Sequence, residues 1–460
     1  MSTRTGMLTT DQLAAMTEAG EIDTVIVAFT DMQGRLVGKR ASARLFTEEI
    51  AENGAECCNY LLAVDVEMNT VDGYSISSWE KGYGDMAMIP DLATLRLVPW
   101  LPATAMVMAD LTWLPETGAD VGEPVIQSPR EILKTQLARL AEKNLTAMVG
   151  TELEFIVFDD IYREAWKKGY NGLTPASDYN IDYAILASTR MEPLLRDIRN
   201  GMDGAGMYSE GVKGECNLGQ QEIAFRYTDA LATCDNHSIY KNGAKEIADK
   251  HGKALTFMAK FNEREGNSCH IHLSVRGADG KAVMSGEGEH GFSKLMEHWL
   301  AGLIKTTREL SLFFAPNINS YKRYVEGSFA PTAVAWGVDN RTCALRVVGH
   351  GQSLRVENRV PGGDVNQYLA VAALIAGGLY GIEHELELEP IFTGNAYGSD
   401  APRVPASLRD AAELFSASTI AREAFGDDVV DHYLNNARIE QRAYDAAITD
   451  WERVRGFERF

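Results

Sequence analysis

Three separated stretches of the chain alternate with the two-residue rhythm of β-strands, yet each carries ionisable side chains on one face. They are AMVGTELEFIVF with Glu152 and Glu154, NSCHIHLSV with His270 and His272, and SLRVENRV with Arg355, Glu357 and Arg359. Residues i and i+2 of a strand share a face. Each stretch therefore presents charge on one side, backed by Leu, Ile, Val and Phe. Burying such a face is costly unless the charges pair or bind metal. Carboxylates, histidine and arginine together predict a cavity for divalent cations and an anionic ligand, the combination phosphoryl transfer requires.

The remaining pattern predicts a short capped helix from Thr10 to Gly20. TVIVAFT, a turn at Asp31–Gly34 and RLVGKRAS read as strand, turn and strand, with further strands at MAMIP, TLRLVPW and AMVMADLTW. These elements predict a small β-rich domain over residues 1–120. Pro115 to Gln127 reads as a polar connector, and Ser128-Pro129-Arg130-Glu131 as a capping box opening a helix. Over residues 121–460, strands mix with long helical patterns (DALATCDNHSIYKNGAKEIADKHG, FSKLMEHWLAGLIKTTREL) without βαβ alternation. The expected class is α+β with a largely antiparallel sheet. Leu369–Ile382 is the longest apolar run and falls short of the roughly 20 residues a membrane span requires, so it reads as a buried helix. From Ala406 onward the chain reads as amphipathic, structural helices.

Composition narrows the partners. A net charge of −21 over 460 residues argues against nucleic acid or an anionic membrane, which need clustered Lys and Arg. The six cysteines form neither a disulfide framework nor a C-x-x-C zinc pattern, and read as reduced thiols of a cytoplasmic protein. No basic-then-apolar signal layout opens the chain.

No G-x-x-x-x-G-K-[ST] and no G-x-G-x-x-G after a strand is present, so any nucleotide is held by other means. Six residues stand out as metal ligands: Glu152, Glu154, Glu215, Glu222, His270 and Glu357. Glu215 and Glu222 bracket CNLGQQ, and only a turn at Leu218-Gly219 brings both to one site. Hard oxygen donors with one imidazole suit Mg2+ or Mn2+ rather than zinc. Any one pair alone is better explained as a solvated face or an ion pair; their joint occurrence in strand contexts is what favours metal. Arg323, Arg341, Arg346, Arg355 and Arg359 are candidates for bidentate contacts to carboxylate or phosphate, against ordinary surface ion pairing. His237, His251 and His350 read as structural or surface residues, and Cys269 as a small buried one. A lone Tyr397 in GNAYGSD is no signature of nucleotidylation by itself.

Taken together, DMQGRLVGKR, VDGYSISSW, TELEF, ECNLGQQEIAF, NSCHIHLS, NSYKRYVEG, NRTCALRV and RVENRVPGGDVNQYLA resemble the glutamine synthetase family across nearly the whole chain. The resemblance implies an N-terminal β-grasp domain and a catalytic domain whose curved antiparallel sheet is flanked by helices. It also implies a homo-oligomer, a dodecamer of two stacked hexamers with active sites between subunits. By position, Glu154, Glu215 and Glu222 would hold the metal on the glutamate side, and Glu152, His270 and Glu357 the metal at the ATP phosphates. Arg323, Arg359 and Gly266 would bind L-glutamate. Arg341 would stabilise the transferring phosphoryl group, with Tyr227, His272, Ser274, Arg346 and Arg355 around ATP as co-substrate. Asp72 of a neighbouring subunit would bind and deprotonate the amine.

Departures from the family pattern bear on the nucleophile. Ammonia-using members carry Tyr-Glu-Ala-Pro where this chain has Ser328-Phe329-Ala330-Pro331. A phenyl ring cannot accept a proton from ammonium, but it offers apolar surface worth roughly 25 cal/mol per Å². Asp72-Gly73-Tyr74-Ser75 replaces Asp-Gly-Ser-Ser, placing a second aromatic near the expected amine site beside Ser75. Glu265-Gly266-Asn267-Ser268 replaces Asn-Gly-Ser-Gly. The resemblance thus points to the γ-glutamylamide synthetase branch, with a primary organic amine as nucleophile. A monoamine is favoured, since a second ammonium would want a carboxylate where Phe329 stands; Glu326 and Glu265 are the alternatives. Ammonia-dependent glutamine synthesis, or a non-catalytic regulatory protein, are the competing readings.

Overall fold

A computed structural model of the chain describes residues 6–114 and 122–460. The expected domain boundary at 120/121 and the first part of the connector lie outside the described residues. The N-terminal part is built on β1 (Thr24–Thr30), β2 (Leu36–Ser42), β3 (Ala55–Cys58), β4 (Asp85–Pro90), β5 (Arg96–Leu97) and β6 (Thr104–Trp113). Their order is β2-β1-β6-β4-β3, with β5 on β6. β1 and β6 run parallel and the other pairs antiparallel, the β-grasp arrangement. Gly34 takes φ +77° in the β1–β2 turn, a region few other residues enter.

The second sheet comprises β7 (Leu145–Phe158), β8 (Ser209–Gly214), β9 (Gln220–Phe225), β10 (Thr228–Asp229), β11 (Ala254–Thr256), β12 (Cys269–Gly277), β13 (Trp336–Val338), β14 (Leu345–Val348) and β15 (Arg355–Asn358). It runs β13-β14-β15-β12-β7-β9-β8, antiparallel except for β13 with β14. All three charged stretches fall in its centre as β7, β12 and β15. The apolar run forms the helix Gln367–Glu383, buried against Lys294–Thr306 and Pro129–Glu142. No described helix is long and apolar enough to cross a membrane.

Arg130 joins the two parts of the fold. Only 2% exposed, it bonds Asp235 at 3.0 Å, Asp91 at 2.6 Å and Asp110 at 2.5 Å. Asp91 and Asp110 belong to the N-terminal part, Asp235 to the part built on the second sheet.

Several local expectations are corrected. Ser128 is the N-cap of Pro129–Glu142, but no capping box forms. The Ser128 N–H already donates to Val125 O, and Glu131 pairs with Lys134 instead. TLRLVPW contributes only Arg96–Leu97 as strand, because Pro99 has no N–H to extend the ladder. Pattern reading did not find the helix Ile185–Gly204, which carries Pro193. In the tail, Asp427–Ala446 packs on the core, whereas Asp450–Gly456 buries no residue.

Candidate active site

Strand register builds the site. β7 pairs with β9 so that Glu154 lies opposite Glu222, and β12 pairs with β7 so that His270 lies opposite Glu152. β12 against β15 sets His272 opposite Glu357. The turn needed before Glu222 exists: Gly219 has φ +72°, and Glu215 N–H donates to Gln220 O at 3.0 Å.

Two acidic groups result. Glu154, Glu215 and Glu222 bring carboxylate oxygens within 4.8 Å of one another, as do Glu152 and Glu357 with His272. His270 also belongs to the second group, its Nδ1 lying 3.3 Å from Glu152 and 3.4 Å from Glu357. Sequence reading had reserved His272 for the nucleotide, yet its Nε2 is 3.0 Å from Glu152. The geometry gives the carboxylate two imidazole neighbours.

These contacts set the electrostatics. Burial pushes the Glu152 carboxyl up, but hydrogen bonds from His270 and His272 outweigh it and hold it well below the usual range. At Glu357 burial is likewise outweighed, here by His270 and Arg359. Glu222 goes the other way, pushed up to about 8 by burial and by the nearby carboxylates Glu152 and Glu154. Carboxylates crowded out of water in this way attract a cation. Lys213, which sequence reading missed, supplies one: its ammonium contacts Glu215 and lies 3.7 Å from Glu222. The signal was available, since Lys213 and Glu215 are two residues apart at the end of β8. An ammonium drawn between the carboxylates, and a buried His270 Nε2 with no partner, fit a donor set made for hard divalent cations.

Beside the second group opens a cavity of about 480 Å³, lined by Glu152, Tyr227, His272, Ser274 and Arg355 among others. Arg355 Nε donates to His272 Nδ1 at 3.1 Å. Four expected nucleotide residues thus meet in one cavity, joined by Arg276, Glu210 and Gln352, which the pattern did not single out. Arg346 instead bonds Glu357 at 2.9 Å and Asp339. Arg341 is exposed.

Two expected substrate contacts are placed differently. The Arg323 guanidinium is buried and donates to the carbonyls of Val360, Arg359 and Pro361, leaving only Nε without a partner. It packs on Gly266, where a Cβ would meet Arg323 Cγ at 2.9 Å and Ala259 O at 2.2 Å. Arg323 therefore braces the 359–361 backbone rather than presenting an open fork. Tyr74 is 5% exposed, its ring tilted against His432 of Asp427–Ala446 with centroids 4.6 Å apart, so it packs in the core rather than lining an amine pocket. The same loop leaves Asp72 and Ser75 exposed, with Asp72 O accepting from Asn435.

Phe329 is 56% exposed, with φ +59°. Arg359 ties its loop to the second acidic group: Nη1 donates to Glu357 at 2.6 Å and Nη2 to Phe329 O at 3.2 Å.

Comparison with known proteins agrees with this geometry. The model for the glutamine synthetase catalytic domain matches residues 126–455. The gamma-glutamylethanolamide synthetase GlnA4 of Streptomyces coelicolor is 62% identical over 456 residues, 99% of this chain and 97% of its own. The glutamate–isopropylamine ligase of a Pseudomonas species is 36% identical, over 95% of each chain. The solved structure of apo GmaS without ligand superposes with a TM-score of 0.84 at 29% identity, covering 97% of this chain and 99% of that one. With β-grasp and catalytic sheets in place and paired acidic groups at their expected register, the chain belongs to the glutamine synthetase family.

Proposed function

We propose that this protein is an ATP-dependent ligase that joins the γ-carboxylate of L-glutamate to a small primary amine of about the size of ethanolamine. The observation that carries this reading is the Phe329 loop. An exposed phenyl ring stands where ammonia-using members place a carboxylate, on a loop bonded through Arg359 to Glu357. The likeness to a γ-glutamylethanolamide synthetase supports an amine with a short polar-tipped chain.

Glu152, His270 and Glu357 would hold Mg2+ or Mn2+ on the phosphate side, with His272 beside them; Glu154, Glu215 and Glu222 would hold it on the glutamate side. The cations would neutralise the charge of carboxylate and phosphates as these approach. Tyr227, Ser274 and Arg355 orient ATP in the 480 Å³ cavity. The glutamate γ-carboxylate oxygen attacks the γ-phosphorus, ADP leaves, and exposed Arg341 meets the transferring phosphoryl group. Asp72 of a neighbouring subunit takes a proton from the ammonium form of the amine. The neutral nitrogen then attacks the acyl carbon, the carbon–oxygen bond breaks, and phosphate departs carrying the nitrogen's second proton, to leave the γ-glutamylamide. Sharing Asp72 in this way requires an oligomer, here proposed as a dodecamer. Exposed Trp451, Val454 and Phe457 offer apolar surface for such contacts.

Phosphate release from ATP, with glutamate, Mg2+ and a panel of ethanolamine, methylamine, isopropylamine, putrescine and ammonium, tests the reading. Ethanolamine should give the highest kcat/KM. Equal or faster release with ammonium would overturn it, and no release with any amine would point to a non-catalytic protein.

A further inference from the structure

Two consecutive carbonyls of the Phe329 loop are held by side chains from outside it. Arg359 Nη2 bonds Phe329 O, and the Tyr397 hydroxyl donates to Ala330 O at 3.0 Å. Tyr397 is 8% exposed, and its own backbone is fixed: Asn395 Oδ1 accepts the Tyr397 N–H at 3.1 Å, and the Ala396 N–H donates to Thr342 Oγ1 at 3.0 Å. Just beyond the loop, Val334 N–H donates to Pro402 O and Val404 N–H to Thr332 O. The 395–404 segment is thus a brace along one side of the loop. On the other side Val325 and Phe329 are about half exposed.

Between these supports, Phe329 sits in a left-handed conformation that a bulky residue avoids. Such a conformation persists only while its surroundings over-determine it. Arg359 divides its guanidinium between Phe329 O and Glu357, whereas the Tyr397 hydroxyl donates to the loop alone.

We propose that Tyr397 is a positioning residue whose hydroxyl latches the Phe329 loop and thereby sets amine specificity. This rests on the reading that Phe329 meets the amine. Without the latch, the Phe329 backbone relaxes toward an ordinary negative φ and carries the ring away from its place. Burial raises the Tyr397 pKa, so the hydroxyl remains a donor at any working pH.

Tyr397→Phe keeps the ring and removes only the hydrogen bond. Amide hydrogen exchange in a peptide spanning 325–333 should speed up about five-fold, the effect of one lost hydrogen bond. The KM for ethanolamine should rise by a similar factor while the KM for ATP stays within about two-fold, a split that general destabilisation would not produce. Unchanged exchange, or faster exchange with an unchanged amine KM, would overturn the latch. Phe329→Ala, run in parallel, separates the two failures. If it shifts the amine profile and Tyr397→Phe does not, the latch is wrong and the Phe329 reading stands. If neither shifts the profile, both are wrong.

Discussion

Replacing Phe329 by glycine and, separately, by alanine divides the ring's role from the backbone's. The residue is 56% exposed, which for a phenylalanine leaves on the order of 110 Å² open to a ligand. A small alkyl amine covers about half of that. At roughly 25 cal/mol per Å² the contact is worth ~1.3 kcal/mol, about ten-fold in kcat/KM. Ammonium has no alkyl group to bury and gains nothing from the ring. Both variants should therefore lose about ten-fold in the ratio of ethanolamine to ammonium, measured by phosphate release.

Stability should separate the same two variants. In ordinary strand or helix positions glycine is less stable than alanine by ~0.5–1 kcal/mol. At φ +59° the order should reverse, because alanine retains the Cβ penalty of left-handed backbone, ~1–2 kcal/mol, and glycine does not. Both lose the same buried part of the ring, so that loss cancels in the comparison. Urea unfolding should then place glycine above alanine by up to about 1.5 kcal/mol. A selectivity loss in alanine but not in glycine would mean that strain, rather than the ring, governs amine choice. Retained selectivity in both would remove Phe329 from the amine site altogether.

Two further perturbations probe the frame around the site. Arg130→Met leaves Asp91, Asp110 and Asp235 facing one another without their shared cation, and should cost ~3–5 kcal/mol, read by calorimetry as a Tm lowered by roughly 3–5 °C; a change below 1 °C would show that the cluster does not join the two parts. His432, packed between Tyr74 and Tyr433, has its pKa pushed by burial from 6.5 down to about 3. The unfolded chain takes up this proton below pH 6.5 and the folded one does not, so stability is intact above 6.5 and falls as pH drops toward 3. At pH 5 the loss is ~2 kcal/mol. His432→Phe should flatten that part of the urea-midpoint profile, and an identical slope in both proteins would refute the assignment.

How much of this was legible in the chain follows from what each feature depends on. Glu152, Glu154, His270 and Glu357 could be found because side-chain alternation in a strand is a local rule, and the register that joined them follows from burying the opposite, apolar faces. Glu215 and Glu222 needed only one turn, and a glycine stood there to make it. Tyr74 and Arg323 were misplaced because nothing local says what they meet. Tyr74 is buried by a helix more than 350 residues further along, and Arg323 by backbone carbonyls 36 to 38 residues away. The missing capping box at Ser128 is a local failure of a different kind, since the turn carbonyl of Val125, three residues back, took the N–H that the motif assigns to Glu131.

The same division runs through the enzyme's chemistry. Activating a carboxylate with ATP demands charge at fixed spacing, and strands provide that by geometry alone; hence the acidic groups are written as a period in the sequence. Choosing a nucleophile demands one surface at one place, and in the function proposed above that surface lies on a loop with no period. Its position is set by Arg359, by Tyr397 and by a backbone angle that Phe329 would not adopt unaided. A change of amine can therefore arise at the loop or its brace while every charged strand face stays as it is. Carboxylate activation and amine choice are then separable, and substitutions at 329 or 397 should move the amine KM while leaving that for ATP in place.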